Sequence, residues 1–217
     1  VYNISELPTV IPVFPLSKVL LLPGTTLPLN IFEPRYLRMV EDALAGERII
    51  GMLQPSDPER MDCDNTPSLE VVGCAGRITK WSEKNSEQYF ITLQGVIRFR
   101  VEFELPCKTP YRQIQADYSK FSIDLTEPST EPPINRDHLI SGLSVYLKSQ
   151  NLTADWSAIE KIDTVTLVNV LSVLSPFSAR EKQALLEVET TAERCNLLVA
   201  LAEMTVAQTA PSGQLLQ

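Results

Sequence analysis

The chain has 217 residues, 44% of them hydrophobic and 21% charged, with a formal net charge of −8, enough to bury one large core or two small ones. Lys and Arg never form a run longer than two, which argues against nucleic acid as the main partner because phosphate neutralisation needs a basic face. The longest apolar region, Val10–Phe32, is interrupted by Pro12, Pro15, Lys18, Pro23 and Pro28, which argues against a membrane span or a signal peptide and makes the cytoplasm the expected compartment.

Residues 1–125 read as β-rich. Val10–Leu16 and Val19–Leu22 are short apolar runs, Pro23-Gly24 marks a turn, and Thr26–Ile31 resumes an extended pattern. Proline cannot donate to a ladder, so Pro8, Pro12, Pro15 and Pro28 place these segments at sheet edges, bulges or strand starts. A helix follows at once. Pro34 suits its first position, and Glu33, held extended by the proline after it, ends the strand and caps the helix. Tyr36, Leu37, Val40 and Leu44 recur at helical spacing as a buried stripe. Gly46 closes the helix, and Arg35 and Arg38 fall off the stripe.

Ile49–Leu53 predicts the next strand. The acidic residues Asp57, Glu59, Asp62 and Asp64 of the loop "PSDPERMDCDNTPS" lack the glycine and terminal glutamate of a calcium loop, so a solvated loop is expected. Leu69–Lys80 predicts a strand with Gly73 and Gly76 at a bulge, and "SEKNSEQ" a hairpin connection. In "VIRFRVEFEL" Ile97, Phe99, Val101 and Phe103 share one face, while Arg98, Arg100, Glu102 and Glu104 share the other. "RQIQADYSKF" repeats the alternation more weakly. Five or more strands with one short helix predict a closed or partly closed sheet.

Three prolines and two glutamates make Thr126–Pro133 read as a stiff linker, taken to span 126–134. Residues 135–204 turn helical. Leu139, Leu143, Tyr146 and Leu147 define one stripe, and Val165, Val168, Leu171 and Leu174 another. Ser178 and Glu181 form a capping box that opens a predicted helix of about 25 residues. Its 3-4 repeat, Leu185, Val188, Ala192, Cys195, Val199 and Ala202, fits packing within the chain or in a homo-oligomer. Residues 205–217 are expected to be a flexible tail.

Motifs for catalysis are missing. There is no phosphate loop, dinucleotide fingerprint, nucleophile elbow or zinc-binding HExxH. Cys63, Cys74, Cys107 and Cys195 form no C-x-x-C pair, and the single histidine, His138, has no cysteine near it, so no metal site is expected. The cysteines read as reduced thiols, with spacing alone leaving a disulfide open. No cofactor and no enzymatic activity are expected. What remains is a surface able to hold an extended peptide along a strand edge or an apolar segment in a groove.

The stretch "IPVFPLSKVLLLPGTTLPLNIFEPRYLRMVEDAL", with "GCAGRI", "YFITLQGVIRFRV" and the helical "LVNVLSVL", resembles the N-terminal, substrate-recognition domain of the Lon proteases over nearly the whole chain. It looks most like stand-alone bacterial proteins made of this domain alone, without the ATPase and Ser-Lys protease modules. The resemblance implies an α+β fold: a β-rich, PUA-like pseudo-barrel with one short helix, then a helical bundle ending in a long helix. It also implies a non-catalytic binding module for exposed or unfolded polypeptide segments or a protein partner. A small-ligand or RNA-binding PUA-like protein is the alternative. Candidate binding residues are Phe32, Glu33, Arg35, Tyr36, Arg98 and Arg100.

Overall fold

Alternation and turn chemistry shape the first half of the chain. A computed structural model describes residues 3–56, 67–85, 88–106, 108–126, 133–149 and 153–209. Six strands form one sheet: β1 (Val10–Pro15), β2 (Thr26–Ile31), β3 (Ile49–Leu53), β4 (Val72–Asn85), β5 (Gln88–Glu104) and β6 (Gln113–Asp117), in the order β2-β5-β4-β3-β1-β6. The additional β5–β6 pairing closes β5-β4-β3-β1-β6 into a ring and leaves β2 outside it. This is the expected α+β fold with a pseudo-barrel.

β5 pairs with three strands of the sheet, two of them at opposite ends of its length. Its first half pairs with β2, from Ile31↔Tyr89 to Thr26↔Gln94, and its last residues pair with β6. β4 runs antiparallel to β5 along its length, with register shifts at Ala75/Gly76, Ile78/Lys80 and Glu83/Asn85. Of the two glycines predicted at a bulge, Gly76 borders a register shift, whereas Gly73 stays in regular register with Phe99. "SEKNSEQ", by contrast, is not all connection, because β4 continues to Asn85 and β5 resumes at Gln88.

Val19–Leu22 forms no strand, yet Leu20, Leu21 and Leu22 are buried. They lie across the register pair Gly76↔Gly95, where a Cβ at Gly95 would sit 2.1 Å from the Leu22 carbonyl oxygen. Only glycine permits that approach. The chain then turns through Pro23-Gly24, with Gly24 at φ +78° and Thr25 N–H donating to Leu22 O, as a type II turn requires.

Helix α1 (Pro34–Ala45) begins at Pro34 with Glu33 at the cap position, but the Glu33 side chain makes no capping bond. Its buried residues are Tyr36, Met39, Val40 and Ala43, whereas Leu37 and Leu44 are half-buried. The stripe is thus rotated slightly from the predicted one.

Beyond a 3₁₀ segment (Ser119–Leu125) come α2 (Arg136–Ser149), α3 (Trp156–Lys161), α4 (Thr164–Leu174), α5 (Ala179–Glu187) and α6 (Thr191–Thr209). In α4 the buried residues are Leu167, Val168, Asn169 and Ser172, and Leu174 is exposed. The predicted 25-residue helix is two helices. The Ser178–Glu181 capping box opens α5, but the chain breaks after Glu187. A second box causes the restart: Glu193 N–H donates to Thr190 Oγ1, and the Glu193 carboxylate accepts from Glu189 and Thr190 N–H. The pattern T-x-x-E was legible and competed with an apolar repeat that ran on unbroken. Helix α6 continues to Thr209, past the expected start of the tail. The acidic loop cluster Asp57, Glu59, Asp62 and Asp64, the thiols of Cys63 and Cys107, and most of the predicted linker lie outside the described residues.

Candidate functional site

Arg98 shows which expectations the fold overturns. Sequence alternation put it on one strand face with Arg100, both as candidate binding residues, yet it is 1% exposed. Its Nε and Nη2 donate to the Asp124 carboxylate, at 2.9 and 2.7 Å. Nη1 donates to the Leu186 and Val188 carbonyls, and Nη2 also to that of Glu189. Asp124 further accepts the Arg98 backbone N–H at 2.9 Å, and the Phe121 ring lies 4.4 Å from the guanidinium carbon. The α5–α6 corner and the 3₁₀ segment thus cover the outer face of β5, and the carbonyls freed by the helix break are taken up by one arginine. Nearby, Gln183 Nε2 donates to Val72 O, and Gln54 Nε2 to Ala179 O. These bonds form a polar seam between barrel and helices. Arg98 belongs to that seam and is not free to bind a partner.

Of the other sequence candidates, Tyr36 is also buried, packed on Phe14 with ring centroids 4.4 Å apart. Burial pushes its phenol above the ordinary value. Glu33 and Arg35 pair with each other at 2.9 Å, each about half exposed, and Arg35 lies over the Tyr36 ring. Phe32 is 63% exposed and Arg100 is exposed. The fold brings Phe32, Glu33, Arg35 and Tyr36 together at the β2–α1 junction and sets Arg98 and Arg100 apart from them, on the far half of β5.

Reactive chemistry is sparse. Burial drives the Cys74 thiol far up and the Cys195 thiol up as well, which suppresses the thiolate. His138 is exposed in the first turn of α2, where its N–H is bonded to Asn135 Oδ1. Among the described residues no three His, Cys, Asp or Glu side chains gather into a metal-binding group. No described helix is long and apolar enough to cross a membrane.

An open cleft of about 480 Å³ lies on the β2-β5-β4 extension, lined by residues of all three strands. Register and alternation put Pro28, Asn30, Phe90, Thr92, Lys80 and Ser82 on its outer face,. Phe90 is 42% exposed, and Trp81, at the rim, is 51% exposed and tilted against Tyr89. Lys80 lines the cleft, and Lys84 extends its ammonium to 6.0 Å from the Phe90 ring centroid. Among the described residues, no carboxylate lines the cleft.

β2 is the open edge beside the cleft. The Gly95 N–H donates to Thr25 O. Carried along the register, the alternation directs the backbone groups of Leu27, Leu29 and Ile31 to β5 and those of Thr26, Pro28 and Asn30 outward,. Pro28 withholds one donor from that edge, as an edge proline should. Sequence reading missed Trp81, Phe90, Lys80 and Lys84: Lys84 fell in the predicted hairpin connection, and strand prediction alone did not show that Lys80 and Phe90 share an open face. The available signal was an aromatic residue set among lysines at strand spacing.

A profile of the family described as the ATP-dependent protease La (LON) substrate-binding domain matches residues 10–203. The chain is 26% identical to a Lon protease of Flavobacterium johnsoniae and 26% identical to Lon protease 2 of Myxococcus xanthus. The alignments take in 88% and 92% of this chain but only 24% of each relative, so the chain spans about a quarter of the length of these proteins. Its fold is similar to the crystal structure of a Lon N-terminal domain protein from Xanthomonas campestris, with a TM-score of 0.60 at 23% identity over 89% of this chain and 98% of that one. It is also similar to the N-terminal domain of Lon protease from the Mycobacterium avium complex, with a TM-score of 0.59 at 14% identity over 89% and 98% of the two chains.

Proposed function

The chain belongs to the family of the ATP-dependent protease La (LON) substrate-binding domain, and from that premise we propose that it is a non-catalytic module that binds exposed, unfolded polypeptide segments in the β2-β5-β4 cleft. The observation that carries this reading is the cleft itself, an uncovered aromatic and aliphatic surface beside an open strand edge. An extended chain can lay apolar side chains on Phe90 and Pro28, and it can hydrogen-bond along β2 on either side of Pro28. Phe32, 63% exposed, follows β2 directly and leads into the Glu33–Arg35 pair. Without clustered titratable groups the site can hold a segment but has no means to cleave it.

The test is fluorescence anisotropy of a labelled, permanently unfolded protein titrated with this chain. Saturable binding, competed by unlabelled unfolded chain but not by its folded form, is the expected result. No binding up to about 100 μM, equivalent to roughly −5.5 kcal/mol, would overturn the reading.

A further inference from the structure

The surroundings of the cleft set its charge preference. The protein as a whole is acidic, at −8, yet the described residues lining this cleft include Lys80 and no Asp or Glu. Lys84 adds a second ammonium above Phe90. Both lysines are exposed, and no carboxylate ion-pairs with either one among the described residues. In an acidic molecule these cations stand where an incoming chain would lie on the aromatic ring. They are four residues apart on β4, roughly 13 Å along an extended backbone.

Resting on the polypeptide-binding reading above, we propose that the cleft selects extended segments in which an apolar or aromatic side chain is flanked on both sides by carboxylates, about four residues apart. The apolar side chain seats on Phe90 and Pro28, and the flanking Asp or Glu side chains meet Lys80 and Lys84. The net negative charge elsewhere on the protein repels acidic chains from the rest of the surface, so the attraction is confined to the cleft. It also disfavours single-stranded nucleic acid, which would bring a continuous row of phosphates past two isolated cations.

Three labelled peptides share one Leu-Phe centre and differ only in their flanks: Glu, Gln or Lys. Each is titrated with the full chain by anisotropy at low and high salt. An exposed ion pair changes an equilibrium by a factor of about two to five, so the Glu-flanked peptide should bind about tenfold tighter than the Gln-flanked one. The Lys-flanked peptide should bind weakest, and high salt should narrow the spread. The double variant Lys80→Glu/Lys84→Glu, at two exposed positions, should reverse the order.

Equal affinity for all three peptides would overturn the charge selection and leave polypeptide binding standing. So would an unchanged order in the double variant. Failure of every peptide to bind, together with failure of the unfolded protein, would overturn the underlying reading. Displacement of the Glu-flanked peptide by a single-stranded RNA oligonucleotide of equal or higher affinity would assign the cleft to nucleic acid and overturn the proposal.

Discussion

Twice along the β4–β5 pair a cation lies over an aromatic ring, and the two places differ in everything else. Arg98 sits 4.4 Å from the Phe121 ring, almost wholly buried, with Asp124 and three carbonyls around it. Lys84 sits 6.0 Å from the Phe90 ring on an open surface. In the first place covering elements complete the hydrogen bonding, and the charge becomes part of the architecture. In the second no described side chain ion-pairs with the ammonium, and the charge is left for the partner proposed above. Burial with full pairing is what separates a structural cation from a recruiting one.

The largest effect should come from the seam. Arg98→Ala leaves the Asp124 carboxylate buried without its cation and three carbonyls without a donor. It should destabilise the fold by about 3–5 kcal/mol, read as a lowered urea midpoint at constant m. A loss below 1 kcal/mol would show that the seam is not what joins barrel and helices.

The cleft should answer in the other currency. Phe90→Ala removes an exposed ring and should shift the unfolding free energy by no more than about 0.5 kcal/mol. It should weaken binding of the unfolded protein by about 1–2 kcal/mol. A large drop in melting temperature with unchanged affinity would make Phe90 architectural and erase the contrast.

The smallest effect lies at a third polar contact, intermediate between the two. The Tyr111 hydroxyl donates to Asp42 Oδ2 at 2.7 Å, and burial, followed by the Asp42 carboxylate, pushes its phenol up to about 12. A raised folded pKa contributes stability that is complete below the unfolded value of about 10 and is lost as pH rises toward 12. Tyr111→Phe should therefore flatten part of the alkaline fall in stability and leave the profile near neutral pH unchanged in shape. A parallel profile for the variant would show that the bond is not maintained in solution. Tyr118, Tyr36, Tyr146 and Tyr89, also raised by burial, keep their share of the fall.

Local signals in the chain settled a good deal. Pro34 started α1, Pro23-Gly24 made its turn, the Ser178–Glu181 box opened α5, and the alternation of residues 97–103 made a strand. The family resemblance rested on these same stretches. Local signals failed where two of them competed or where a distant element decided the outcome. The apolar repeat past Glu187 masked the Thr190–Glu193 box, and the alternation in β5 named two faces without saying what covers them. Phe103 shares a face with the buried Ile97 and Phe99 in that alternation and is 57% exposed, whereas Arg98 shares the other with the exposed Arg100 and is 1% exposed.

The sequence by itself determined that a β-rich half precedes a helical one, the edge character imposed by Pro28, and the absence of catalytic motifs, because each depends on residues near one another in the chain. Only the tertiary structure decided that β5 would close a ring with β6, that the α5–α6 corner would bury Arg98, and that the Phe90 cleft would remain open. Those outcomes depend on which surfaces, far apart in sequence, exclude water from one another. No local pattern encodes that.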